Sequence, residues 1–315
     1  MAPPQTVKKT AEPVAEFRKR GQQEAVSYLN GAIYGDFGIG KTYLTGTIDR
    51  EVQKLNTTAA SKQTAALRAK TQYPVRFATL FANAEQGENG LPEDCADIII
   101  KDIQTYADFG RLYDFLKLHC RFRASGDVDS LLKLQAGYFK AGIEITEELW
   151  IFDAVIIDSL SEIQKYCLYQ LIGLDQDSKI DEEPEYMQQR QWGTALEMIL
   201  LMVRNFRALP MHKLFIIQQM EDQDEKKKLF FRPALQGQAK SSILGFFDFV
   251  GYYAMQVNTD TTIRKLFLTP IGPFRAKHRF EKFSEHSLTN PTMNDVLAAR
   301  DGVYVKVAPA PTAKK

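Results

Sequence analysis

Gly31-Ala-Ile-Tyr-Gly-Asp-Phe-Gly-Ile-Gly-Lys-Thr42, continuing into Tyr43-Leu-Thr-Gly-Thr-Ile-Asp49, is the stretch on which the reading of this 315-residue chain turns. Gly35, Gly40, Lys41 and Thr42 stand at the G-x-x-x-x-G-K-[ST] spacing of a phosphate-binding loop. The apolar run at 32–34 suits a buried strand, and 43–55 reads as the helix that follows. Glycine at 35, 38 and 40 allows positive φ and keeps side chains from between backbone and ligand. Backbone N–H groups can then converge on phosphate at a helix start. The candidate nucleotide cradle is Gly35, Asp36, Phe37, Gly38, Ile39, Gly40, Lys41, Thr42 and Tyr43. In it Lys41 meets the β/γ-phosphates and the Thr42 hydroxyl joins a Mg²⁺ shell. The bland alternative is a glycine-rich turn that matches by chance, and a strand before it and a helix after it weigh against that. The expected ligands are ATP and Mg²⁺.

Composition narrows the rest. Hydrophobic residues at 44% and charged residues at 25% are ordinary for a soluble globular protein. A formal net charge of +1 means that any nucleic-acid surface must come from local clustering. Cys95, Cys120 and Cys167 are odd in number and form no CxxC pair. That argues against a disulfide framework or a zinc site and for a reducing, cytoplasmic setting. No signal-peptide core follows Met1, and no 18-residue apolar run offers a membrane span.

Working outward, residues 1–12 and 301–315 are expected to be loose tails around one domain at 13–300, with a helix over 12–29. The Arg18-Lys19-Arg20 run reads as a solvated helical face rather than a phosphate contact. Strands are expected at 75–81, 97–101, 152–158 and 213–219. Helices are expected at 106–122 and at 187–209, the latter burying Trp192, Leu196, Ile199, Leu200, Val203 and Phe206. Residues 131–142 suit a short helix and a hairpin, and the acidic stretch 173–186 suits a loop. Alternating strand and helix signals predict an α/β fold, a mainly parallel sheet with helices on both faces. Strands at 246–253 and 264–268 extend it, the second antiparallel at the sheet edge. Residues 261–283 carry six Lys/Arg against one Glu, the clearest basic bias in the chain.

Phe152-Asp-Ala-Val-Ile-Ile-Asp158 is a β-branched run ending in an acid, the expected partner of a phosphate loop, with Asp158 beside the metal. Hydrolysis also needs a carboxylate to orient or deprotonate water. Many ring ATPases place a Glu directly after the metal-binding Asp, and here Ser159 stands there. Glu162 is one helical turn further on and points away. The candidate is therefore Glu85, at the end of a strand whose neighbour across the sheet is expected to be the phosphate-loop strand, with Glu88 as the fallback.

Gly35–Thr42, Ala84-Glu85-Gln-Gly87, Val155-Ile-Ile-Asp158-Ser159 and Phe215-Ile-Ile-Gln218-Gln219 follow one another as in the RecA-like ATPase core, which the chain resembles over residues 30–283. Pro233-Ala-Leu-Gln-Gly237, Phe247-Asp248 and Ala276-Lys-His-Arg279 look like the short phage-encoded, single-domain RecA-like ATPases, some of which act in single-strand annealing or recombination. The resemblance implies a RecA-like P-loop NTPase core with an antiparallel C-terminal extension. It also implies that Glu85 activates water and that Gln218 or Gln219 senses the γ-phosphate. Lys277 and Arg279 would complete a neighbouring subunit's site as an arginine finger does, hence a filament or ring. A surface basic patch or a direct contact to DNA phosphate stays equally open for that pair. Relatives often have Asp-x-Glu where this chain has Asn83-Ala84-Glu85.

In RecA-like proteins the loops after the Asp158 and Gln218 strands face the central axis. The second, 221–242, offers Lys226, Lys227, Lys228, Arg232 and Lys240 to the phosphates of single-stranded DNA. Phe230 and Phe231 fit either base stacking or the inner face of a hairpin, the latter favoured. The acids of the first loop count against DNA there. Other classes remain: a ring-forming motor or loader acting on a protein, a nucleotide switch for a protein partner, and, least favoured, a small-molecule kinase.

Overall fold

In the computed structural model, which describes residues 28–57, 62–95, 97–138, 148–174, 188–223, 225–235, 243–257 and 261–305, strand β1 (Asn30–Gly35) is buried at all six positions. A strand with no solvent face must lie inside a sheet covered on both sides. Residues 12–27 of the helix expected over 12–29, the acidic loop from 175, Lys240 and both tail ends lie outside the described residues, and Tyr28 and Leu29 are not helical.

The chain continues through α1 (Lys41–Gly46), α2 (Asp49–Thr57), α3 (Lys62–Arg68), β2 (Val75–Asn83) and β3 (Ile98–Asp102). Then come α4 (Tyr106–Ser125), α5 (Val128–Tyr138), β4 (Leu149–Asp158), α6 (Leu160–Leu171) and α7 (Gln189–Arg207). β5 (His212–Gln223), β6 (Leu229–Pro233), β7 (Phe249–Val257), β8 (Thr262–Phe267), β9 (Lys277–His278), β10 (Ser287–Thr289) and α8 (Met293–Asp301) complete it.

The sheet runs β10-β8-β7-β1-β5-β4-β2-β3, with β7 through β3 mutually parallel and β8 antiparallel to both its neighbours. The mainly parallel sheet with an antiparallel C-terminal extension is therefore present, and the edge beyond β8 is taken by the short β10. Alternate side chains of each parallel strand enter opposite cores. Tyr34, Ile157 and Phe215 join Phe109, Leu116, Ile199 and Phe206 from α4 and α7 on one face. Ile33, Ile156 and Leu214 join Leu44, Val52, Leu131 and Val296 from α1, α2, α5 and α8 on the other.

Local departures from the sequence expectation have local causes. The helix expected over 43–55 is split in two. Thr47 Oγ1 donates to Leu44 O at 2.6 Å and accepts from Met293 N at 2.8 Å, so the break docks the C-terminal helix α8. Trp192, expected inside, is 41% exposed at the start of α7. The hairpin reading of 221–232 is realised: β5 runs on past the sheet to pair antiparallel with β6. Phe231 stacks on Phe274 at 5.0 Å between ring centroids, and Phe230 lies under the Arg275 guanidinium at 5.2 Å.

Candidate active site

Parallel strands end together, so the residues just beyond them meet at one edge. Register aligns Gly35 with Gln218 on β5, Ile216 with Asp158 on β4, and Asp158 with Asn83 on β2. The phosphate loop, Gln218, Asp158 and the turn carrying Glu85 are thus brought to one edge.

The loop 36–40 leaves β1 and enters α1 through Gly38 and Gly40, at φ 70° and 90°, where an L side chain would be strained. Lys41 Nζ donates to Gly35 O at 2.9 Å and Asp36 O at 2.7 Å, so the ammonium lies over the concave side of the loop. Burial lowers its pKa, and the nearby charges of Asp158, Glu85 and Asp36 oppose that fall. Phe37 stands 70% exposed at the loop tip.

Thr42 Oγ1 donates to Asp158 Oδ2 at 2.7 Å. Asp158 is buried, which pushes its carboxyl up to about 6, helped by the Glu85 charge and opposed by the Thr42 hydrogen bond and Lys41. A Cβ at Gly87 would stand 3.4 Å from Asp158 Oδ2 and 3.9 Å from Thr42 Oγ1, so this glycine keeps the space over the two oxygens open. A hydroxyl and one carboxylate, with room above them, suit Mg²⁺, which keeps waters and takes phosphate oxygens rather than a full protein cage.

The expectation that β2 lies beside the phosphate-loop strand is wrong. Both β4 and β5 intervene. Glu85 reaches the site because the chain bends over the end of β4: Ala84 N and Glu85 N both donate to Asp158 O, at 2.7 and 3.2 Å. Asn83 ties down the rest of the turn. Its Oδ1 accepts from Gly87 N at 2.9 Å, and its Nδ2 donates to Glu88 Oε2 at 2.7 Å and to Asp102 Oδ1 at 2.9 Å. An aspartate there could not make the two donations, which gives Asn83 its own reason to differ from the Asp-x-Glu pattern. Glu88, the fallback base, is thereby engaged as a turn anchor.

Glu85 Oε1 accepts from Gln218 Nε2 at 2.7 Å and from Ser159 Oγ. Ser159 also caps α6, accepting from Glu162 N at 3.3 Å. In the sequence Ser159 marks only the absence of a glutamate after Asp158; its contact with Glu85 depends on the fold. Glu162 pairs with Lys165 at 2.7 Å. Gln218, not Gln219, faces Glu85; the Oε1 of Gln219 is buried without a partner among the described residues.

The remaining candidates lie elsewhere. Lys277 pairs with Val250, which is level with Ala32, three residues before Gly35 and so about 10 Å from the loop along the strand. Arg279 donates to Gly245 O at 2.8 Å and lies 3.9 Å from Asp248. This pair does not enter its own chain's loop. Lys226, Lys227 and Lys228 sit at the turn of the β5–β6 hairpin, exposed. Arg232 is a correction to the DNA-contact set. It is buried, donating to Asp222 Oδ2 at 2.8 Å and to the carbonyls of Pro233 and Leu235. Arg264, given no role from sequence, donates through Nε to Ile39 O of the loop at 3.1 Å.

A family model described as AAA domain matches residues 27–288. No curated protein matches the chain. Among solved structures it is similar to the flagellar accessory protein FlaH from Methanocaldococcus jannaschii, at 12% identity over 89% of this chain and 92% of that one, TM-score 0.33. It is also similar to the RadB recombinase (12% identity, 83% and 87% covered, TM-score 0.32) and to a DnaB-like replicative helicase (11%, 83% and 56%, TM-score 0.37). Similarities this distant say nothing of substrate or partner.

Proposed function

The chain belongs to the AAA-domain family and has the fold of a RecA-like phosphate-loop ATPase, and from that premise we propose that it hydrolyses ATP with Mg²⁺ on single-stranded DNA, in recombination or annealing of the phage type. The observation that carries this reading is the convergence of Lys41, the Thr42–Asp158 pair and the Glu85–Gln218 pair on one sheet edge.

The loop N–H groups and Lys41 bind the phosphates, with Lys41 exchanging its two carbonyl partners for phosphate oxygens. Thr42 and Asp158 would hold Mg²⁺, which would supply positive charge to offset the negative charge of the phosphates. Glu85 orients the attacking water and accepts its proton, and Ser159 keeps the carboxylate aimed. Gln218 is a short amide that can trade Glu85 for a γ-phosphate oxygen.

DNA enters the proposal through β5. The strand carrying Gln218 runs on to Gln223 and pairs with β6 in the hairpin whose turn holds Lys226, Lys227 and Lys228, so one β-ribbon joins the γ-phosphate side to three exposed lysines. Phe230 and Phe231 are occupied in packing, which leaves the contact to phosphate rather than to bases. Lys277 and Arg279, away from their own loop, fit a role on a neighbouring subunit's nucleotide, in a filament or ring. The single domain of 13–300 remains part of this proposal.

The test is ATP hydrolysis by the purified chain with and without single-stranded DNA, with Lys41→Ala as the blank. Stimulation several-fold or more is the expected result. Hydrolysis indifferent to DNA would overturn the DNA reading and favour a motor or switch acting on a protein. A Lys277→Ala chain should bind ATP normally and lose hydrolysis; normal hydrolysis there refutes the shared site.

A further inference from the structure

The strand order gives the phosphate loop a direction. Asp158, Glu85 and Gln218 come from β4, the turn after β2, and β5, all on one side of β1. A triphosphate whose γ end meets them leaves the loop with its nucleoside end toward the other side, where β7 and β8 stand.

Arg264 waits on that side. It lies on β8 opposite Met255, three residues past Tyr252, which is level with Tyr34 on β1. The β7–β8 hairpin therefore reaches beyond the end of β1 and over the loop. Arg264 Nε donates to Ile39 O at 3.1 Å and lies 3.5 Å from where a Cβ on Gly40 would be; Tyr43 Cβ lies 3.9 Å from the same point. The guanidinium and the exposed Tyr43 thus flank Gly40 together. The main chain of Arg264 is pinned by Asn290, N to Oδ1 at 2.7 Å and O from Asn290 N at 2.6 Å.

Among the described residues no carboxylate offsets its charge. Arg50, Arg76, Arg123 and Arg232 each have a carboxylate within 3.3 Å. Among the described residues Arg264 has none, and the protein uses only its Nε. A partly buried guanidinium with both Nη groups unused beside a phosphate loop is suited to a charge-assisted bond with an anion.

We infer that Arg264 is a nucleotide-binding residue whose Nη groups meet the α-phosphate of the bound nucleoside di- or triphosphate. This rests on the ATP site proposed above and adds a contact from the C-terminal extension, 225 residues from the loop it touches.

The experiment is calorimetric titration of the full chain, wild type and Arg264→Gln, Arg264→Lys and Arg264→Ala, with Mg·ATP and with Mg·ADP. Glutamine keeps an N–H donor for Ile39 O and removes the charge. Losing one charge-assisted bond predicts that it weakens both nucleotides about tenfold to a hundredfold, with lysine between it and wild type. Glutamine within about threefold of wild type would mean that the arginine only shapes the loop, and would overturn the inference. A loss confined to ATP would move the contact to the γ-phosphate and overturn it equally. Phenylglyoxal modification of the wild type, read by mass spectrometry, does not depend on the folding of any variant. ADP and ATP should both slow modification at Arg264, and an unchanged rate in either refutes the contact. Wild type that binds neither nucleotide fails the ATP site itself, and the inference with it.

Discussion

Glu85→Gln is the perturbation that most directly separates binding from chemistry. The amide retains an oxygen where Oε1 accepts from Gln218 and Ser159, so the folding cost should stay below about 1 kcal/mol. What disappears is the base. Loss of a general base predicts a fall in kcat of about a hundredfold to ten-thousandfold, equivalent to about 2.7 to 5.5 kcal/mol in the barrier. Binding should move the other way. The Glu85 charge contributes to the raised pKa of Asp158, so removing it lets Asp158 ionise more readily and lowers repulsion of an anionic ligand. The assay is steady-state hydrolysis together with Mg·ATP titration, and the expected outcome is a large loss of kcat with Kd unchanged or smaller. Glu88→Gln is the control. Its oxygen only anchors Asn83, so activity should stay within about threefold. A Glu85→Gln chain that turns over within about fivefold of wild type, or a Glu88→Gln chain that is equally damaged, would refute the assignment of the base.

Replacing Lys226, Lys227 and Lys228 by Ala should reduce the slope of log affinity against log salt for oligothymidine by about 0.7 per lost phosphate contact, whereas Arg232→Gln should leave the slope alone and cost about 2 kcal/mol in urea unfolding. An unchanged slope in the triple variant would remove the hairpin from DNA binding. His119 and His212 are held neutral, near 3 and 4, chiefly by burial. Their stabilisation is full above about pH 6.5 and is lost as pH falls, by about 2 kcal/mol each at pH 5, while Asp158, raised to about 6, gains about 1 kcal/mol over the same window. Urea midpoints should therefore drop from pH 7 to pH 5, and midpoints that hold steady would show that the two imidazoles are not neutral and buried. Gly31→Ala would place a Cβ 1.9 Å from Phe249 Cε1, and should cost about 1–3 kcal/mol, partly restored by Phe249→Leu. No loss of stability would mean that β1 and β7 are not packed as described.

Much of the site was legible because it is contiguous. The loop from Gly35 to Thr42 needs only its own glycines, lysine and threonine at fixed spacing, and Asp158 needs only the apolar run before it. Backbone sterics and nearest-neighbour hydrogen bonds act over a few residues, so a window of sequence carries them. The hairpin at 221–232 was legible for the same reason, as alternation around a polar turn.

What the sequence could not carry is which strand lies beside which. β5 between the loop strand and the Asp158 strand, Glu85 arriving over the end of β4, Arg232 turned inward and Trp192 outward all depend on neighbours distant in the chain. Asn83 and Ser159 gave no strong signal, since their value lies in partners brought by other strands. Arg264 lay within the basic segment that sequence analysis singled out, yet nothing in its surroundings distinguishes it from Lys265. Only the pairing of β8 with β7, and of β7 with β1, lays its guanidinium against the loop. Local geometry is set by each residue and its near neighbours, so the sequence alone determined the phosphate loop. Which cations and carboxylates meet around it was decided by the tertiary structure, because register between strands is a property of the packed sheet and not of any one segment.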